Sequence, residues 1–208
     1  NEKVAARLGR DLSNSGRIPQ EAWDEELAAL ARYSLIISDL GVEDVQTVAT
    51  AAARDAENGG EFLQAVAKLG LTPRLLSGEE EACASAMGAL GAFPGAKGVV
   101  ADLGGGSLEL VSIADNDCRE ASSLKLGTLR LPALRAEGPE AFESAVHEQL
   151  ASVGWAAAHT GPMYMVGGTW RALAAYAMRY IDYPLTDPHG FSLLPDDARR
   201  PHDRVRGL

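Results

Sequence analysis

Residues 99–113 read VVADLGGGSLELVSI: two runs rich in β-branched and aliphatic residues, Val99 to Asp102 and Leu108 to Ile113, separated by little more than three glycines and a serine. Strands this close cannot be joined by a parallel crossover, so the stretch predicts a hairpin. Successive glycines remove the side chains that hold a backbone away from an anion, and their N–H groups can converge on a phosphate. Gly104, Gly105, Gly106 and Ser107 are therefore candidate phosphate ligands, and Asp102, at the end of the incoming strand, would face a metal or a phosphate-bound water. A plain flexible turn explains the same spacing equally well. The loop is not a P-loop, because no Lys-Ser/Thr pair follows it, and not a dinucleotide fingerprint, because a strand follows where a helix is required.

Working outward, Glu120 to Leu126 predicts a third strand, Glu140 to Trp155 a helix, and Met163 to Val166 a fourth strand running through a second glycine turn into a helix over Trp170 to Tyr180. Gly167, Gly168 and Thr169 would leave free N–H groups and positive potential at that helix's start. Two glycine turns at strand ends could converge on one polyphosphate; ordinary strand-to-helix geometry explains Gly167 and Gly168 as well. This half is α/β with an antiparallel start. Upstream, Trp23, Leu27, Leu30, Tyr33 and Ile37 fall at helical spacing within 21–38, and Val45 to Thr50 reads as a buried strand. Asn58 can cap a helix to about Leu69, Thr72 to Leu76 is a short strand, and Glu79 to Leu90 a helix. Residues 91–98, GAFPGAKG, have linker composition and predict a domain boundary, giving domains 1–95 and 96–208. From Pro184 the periodicity is lost, and 195–208, PDDARRPHDRVRGL, reads as a chain end without a core-facing pattern.

Composition narrows the function. The 208 residues are 46% hydrophobic and 23% charged, as in soluble globular proteins. A formal charge of −10 opposes the basic footprint that drives binding to nucleic acid or to anionic membranes, so neither is an expected partner. Cys83 and Cys118 have no metal-type spacing and are too few for a disulfide framework, which makes a reducing cytoplasm the default compartment. No apolar run approaches a membrane span, and the start, NEKVAARLGR, lacks the hydrophobic segment of a signal peptide.

Three further positions carry chemistry. Ser77-x-x-Glu80 is a capping box, and Glu79 reads as a solvated first-turn acid, which leaves Glu81 without a local role beside the small Ser85 and Gly88. Glu81 is thus a candidate base, although an exposed first-turn glutamate accounts for it too. Arg54 directly follows a strand, where α/β proteins place ligand contacts; a surface ion pair with Asp55 or Glu57 is the alternative. His147 and His159 have no second ligand at metal spacing, and Ser107 has no His or Asp in triad order.

At these residues the chain resembles the exopolyphosphatase and guanosine pentaphosphate phosphatase family, within the actin-like ATPase and sugar-kinase superfamily. The matching segments are ATAAARDAENGGEFL (49–63), LLSGEEEA (75–82), VVADLGGGSLEL (99–110), LKLGTLRL (124–131) and VGGTWRALA (166–174), in the family's order and spacing. The resemblance implies an α/β fold of two ribonuclease H-like domains, with mixed sheets flanked by helices and the active site in the cleft between them. Relative to the family, both domains are expected to be incomplete: no Asp-x-Gly-Ser-Asn-Ser loop stands at the start and no Asp-x-Gly-Leu-Arg-Glu-Gly-like motif at the end. The implied reaction is Mg2+-assisted hydrolysis of a terminal phosphoanhydride of inorganic polyphosphate. Guanosine pentaphosphate is the alternative substrate, and a non-catalytic polyphosphate or nucleotide sensor the alternative class; a homodimer is admitted. By the same resemblance Glu81 activates water, Arg54 faces the phosphates, and Asp102 and Glu109 lie at the metal. Gly104, Gly105, Gly106 and Ser107 form the phosphate loop, and Gly167, Gly168 and Thr169 the second turn. Leu108 stands where the family usually has a threonine.

Overall fold

The computed structural model describes residues 4–197; the last part of the aperiodic tail, 198–208, and the first three residues lie outside the described residues. After a short turn of helix, α1 (Leu12–Ser15), the amphipathic stretch forms α2 (Gln20–Asp39). A strand β1 (Thr47–Ala49) leads through α3 (Ala51–Asp55) and α4 (Gly59–Ala67) to β2 (Pro73–Leu75), which pairs with β1 in parallel. The apolar sides of these helices bury Leu12, Ile18, Phe62, Val66 and Leu71 against Trp23, Leu27 and Leu30. Asn58 stands at the N-terminus of α4, as expected, but does not cap it. Its buried amide accepts from Ile18 N at 2.8 Å and donates to Ile18 O at 3.1 Å, so it ties the α1–α2 connection to α4 instead.

Helix α5 (Gly78–Ala92) opens the second part of the fold, followed by β3 (Gly98–Leu103), β4 (Leu108–Ala114) and β5 (Asp117–Leu124). Then come α6 (Leu131–Ala136), α7 (Pro139–Ala151), α8 (Gly154–Ala157), β6 (Met163–Val166) and α9 (Gly168–Tyr180). The sheet order is β5-β4-β3-β6, with β3–β4 and β4–β5 antiparallel and β3–β6 parallel. The glycine stretch is thus a hairpin, as predicted. β5 begins earlier than expected because Asp115 and Asn116 both take positive φ, 54° and 58°, the conformation of a tight two-residue turn whose twist suits a hairpin.

Both faces of this sheet are covered, which the period-2 alternation records. Val100, Val111 and Ile113 face Ala82, Ala86, Ala89 and Leu90 of α5, while Val99, Ala101, Leu110 and Leu124 pack with Val153, Leu131, Leu134 and Trp155. The expected boundary at 95/96 cuts the first of these clusters, since α5 shares its core with the second sheet. Buried Val153 also splits the expected 140–155 helix into α7 and α8. Cys83 on α5 and Cys118 on β5 form a disulfide, with a Cα–Cα distance of 5.8 Å. Their sequence separation of 35 concealed the pairing, which exists because helix and hairpin stack. Among the described residues no helix is long and apolar enough to cross a membrane.

Candidate active site

The β3–β4 turn is held by its carbonyls. Gly104 O accepts from Thr128 N at 3.0 Å, Gly105 O from Leu129 N at 2.9 Å and Gly106 O from Arg130 Nε at 2.6 Å. Gly104 N closes the turn onto Ser107 O at 3.0 Å, while the N–H groups of Gly105 and Gly106 have no hydrogen-bond partner among the described residues. Carbonyls drawn to one side with free N–H groups nearby make the arrangement an anion-binding concavity requires. None of the three glycines has positive φ. Their need is for space: a Cβ on Gly106 would sit 2.8 Å from Ala51 Cβ, and one on Gly105 3.1 Å from Leu129 Cδ1. Against the turn itself packs Gly127, whose Cβ would meet backbone atoms, Gly106 C at 2.2 Å and Gly105 O and Ser107 N at 2.3 Å.

Under the turn lies Glu109, 3% exposed. Ser123 Oγ donates to its Oε1 at 2.9 Å, and the Ser107 side chain also hydrogen-bonds it. Burial pushes the Glu109 carboxyl above the ordinary glutamate range, a shift opposed by the two serines and reinforced by the nearby negative charges of Glu81 and Asp102. The structure therefore places Glu109 where it braces Ser107 and Ser123 rather than on an open metal-facing surface.

Asp102, one residue before the end of β3, pairs with Val166 of β6. Its Oδ2 accepts from Ser85 Oγ at 2.5 Å, and its Oδ1 lies 3.1 Å from where a Cβ of Gly167 would stand. Gly167 needs its freedom twice over: φ is 111°, and that Cβ would also come 2.7 Å from Leu103 O. The two glycine turns thus abut at the carboxyl ends of adjacent parallel strands, and Gly168 and Thr169 form the first turn of α9.

Facing them, the capping box is present: Ser77 Oγ accepts from Glu80 N at 3.1 Å and Ser77 N donates to Glu80 Oε2 at 2.8 Å. Hydrogen bonding by Ser77 N and the Arg74 guanidinium holds the Glu80 carboxyl below its ordinary range. Glu81, next along, is held by Arg54, whose Nη1 reaches Glu81 Oε2 at 3.1 Å and Leu76 O at 2.9 Å. Arg54 Nε also lies 3.7 Å from Asp55, which pairs in turn with Arg130. The strand-end arginine is therefore less than a quarter exposed and cross-links three segments. Around it a cavity of about 180 Å³ is lined by Arg54, Asp55, Gly78, Ser107, Ser123 and Lys125.

Sequence reasoning singled out the glycine turns, Asp102, Glu81 and Arg54, and all stand together. It passed over Ser85 as merely small, and over Gly127, Arg130, Ser123 and Lys125. The only signal for the last four was their lying in or beside LKLGTLRL, a segment with no recognisable loop chemistry. Leu108 packs into the core beneath the sheet. Among the described residues no three His, Cys, Asp or Glu side chains cluster as a metal cage.

A mixed sheet that presents two glycine turns at the ends of adjacent parallel strands, faced by an acid–arginine pair, places the chain among α/β proteins of the actin-like ATPase fold. Over residues 1–200 it matches the Ppx/GppA phosphatase family, and it belongs to that family. It is 35% identical over 138 residues to exopolyphosphatase 2 of Mycobacterium tuberculosis, an alignment covering 62% of this chain and 43% of that protein. The chain thus spans less than half the length of that relative. The Aquifex aeolicus member of the Ppx/GppA family superposes with a TM-score of 0.70 at 27% identity, over 98% of this chain and 68% of that one. An exopolyphosphatase from Cytophaga hutchinsonii shares the fold, with a TM-score of 0.73 at 22% identity over 89% of this chain and 63% of that one.

Proposed function

We propose that the protein containing this chain hydrolyses the terminal phosphoanhydride of inorganic polyphosphate. The observation that carries this reading is the Glu81–Arg54 pair beside a glycine turn whose Gly105 and Gly106 N–H groups are uncommitted. Those N–H groups and the start of α9 receive the terminal phosphoryl oxygens. Arg54 anchors Glu81 through Oε2 and offers its remaining donors to the same phosphate. Glu81 Oε1, which has no hydrogen bond among the described residues, takes the proton as a water oxygen attacks phosphorus. The bond from phosphorus to the bridging oxygen breaks, orthophosphate is released, and the bridging oxygen stays with the shortened chain.

Magnesium binds through one or two carboxylates together with water and substrate phosphates, not through an all-protein cage. The donor set fits that habit: Asp102 is a partly buried carboxylate fixed by Ser85 next to both glycine turns, whereas Glu109 is committed to serines. Asp102 is the residue that would hold Mg2+, which when bound neutralises charge on the transferring phosphoryl group. Polyphosphate is preferred over guanosine pentaphosphate because the curated relatives at 35% and 32% identity are exopolyphosphatases.

The deciding experiment measures orthophosphate release by the protein from polyphosphate and from guanosine pentaphosphate, with Mg2+ and with chelator. Magnesium-dependent release from polyphosphate is expected. Release from the nucleotide alone would reassign the substrate, and tight binding with no release from either would make the protein a sensor.

A further inference from the structure

The cavity beside the glycine turn holds one cation to which the proposed reaction assigns nothing. Arg54 holds Glu81 and Leu76 O, lies beside Asp55, which is shared with Arg130, and gives its remaining donors to the terminal phosphate in that reaction. Lys125 lines the same cavity and has no ion-pair or hydrogen-bond partner among the described residues. Its backbone is well anchored, because Leu124 and Leu126 on either side are 8% and 3% exposed and belong to the core. That anchoring leaves Lys125 as the member of the trio that faces out of the core, beside the hydroxyl-bearing Ser107 and Ser123. Among the residues that line the cavity two cations, Arg54 and Lys125, stand against one carboxylate, Asp55. In a chain of formal charge −10, a local cationic excess is unusual.

We propose that this cavity is the subsite for the phosphates following the terminal one, and that Lys125 is the residue that binds them. The inference rests on the hydrolytic reading above and adds the direction in which the substrate leaves the reacting centre: past Ser107 and Ser123 toward Lys125. A lysine suits this role because its ammonium is a point charge on a flexible stem, able to follow a polyanion whose torsions vary, whereas Arg54 must hold a fixed planar geometry with Glu81. A subsite whose uncommitted donor is an ammonium reads charge and chain continuity and makes no demand for a base.

The test compares wild type with Lys125→Ala, Lys125→Arg and, as a surface control, Lys97→Ala, which breaks only an exposed contact with Asp115. Dissociation constants for tripolyphosphate and orthophosphate are measured by calorimetry in chelator, where no turnover occurs, and kcat and KM for polyphosphate are measured with Mg2+. Lys125→Ala should weaken tripolyphosphate about tenfold and raise KM similarly, while orthophosphate affinity and kcat stay within about threefold, and Lys125→Arg should recover most of the loss. Unchanged tripolyphosphate affinity in Lys125→Ala, or an equal loss for orthophosphate, overturns the subsite. Lysine-dependent tripolyphosphate binding without phosphate release sinks the hydrolytic reading and leaves the subsite standing; normal release that ignores Lys125 does the reverse.

Discussion

Glu81 and Glu109 are two carboxylates with the same chemistry and opposite circumstances. Glu81 is tied through one oxygen to Arg54, with the other oxygen uncommitted, which is what a base needs. Replacing it by Gln keeps the Arg54 contact through an amide oxygen and removes the proton acceptor, so turnover of polyphosphate should fall at least about 100-fold with KM little changed. Near-normal turnover in steady-state phosphate release would remove Glu81 from the mechanism. Glu109 is buried, and its raised pKa means that above the ordinary glutamate range the folded protein holds a proton the unfolded chain has lost. Stability must therefore fall as pH rises through that window. Glu109→Gln abolishes the titration, so its melting temperature relative to wild type should climb across the same window; a difference independent of pH would show that Glu109 ionises without cost.

At the scale of elements, the glycine turn is shaped by a segment far from it in sequence. The backbone of 127–130 passes so close to the turn that Gly127 cannot carry a methyl group without meeting backbone atoms, which cannot rotate away. Gly127→Ala should cost about 3 kcal/mol or more in denaturant unfolding, at or beyond the upper end of overpacking penalties. Gly88→Ala is the control: nothing lies within 4 Å of a Cβ there, and an alanine inside α5 should be neutral or gain about 0.5–1 kcal/mol. A mild effect at Gly127 would mean that the turn can move aside. α5 is itself tied to β5 by Cys83–Cys118, a link spanning 35 residues. Reduction should lower the melting temperature, by an amount corresponding to about 2–4 kcal/mol, and a Cys83→Ser protein should melt at the reduced value whatever the redox buffer. Identical melting of oxidised and reduced wild type would show that the bridge does not constrain the helix.

For the whole molecule the test is linkage between ligand, cation and stability. A polyphosphate that binds the native state must raise its melting temperature, and a site shared with Mg2+ must raise it further when the cation is present than in chelator. Asp102→Ala should erase the Mg2+-dependent increment and leave the remainder. An equal shift in wild type and variant would place the ligand away from the glycine turns.

Much of this arrangement was legible in the residues alone, because local physics decided it. The hairpin at 99–113, the capping box at Ser77 and Glu80, and the strand-to-helix turn at Gly167 each depend on neighbours within a few positions, and each formed as read. What tertiary structure decided is every relation between distant segments. It gave Asn58 to Ile18 rather than to its own helix, joined Cys83 to Cys118, and set α5 on the second sheet across the expected boundary. It also buried Glu109 beneath the turn, stood Arg54 against Glu81, and brought Gly127 under the glycines and Lys125 to the cavity. Spacing carries no record of such contacts. They arise when apolar faces of separate elements pack together, and the polar groups carried along with those faces find their partners only then.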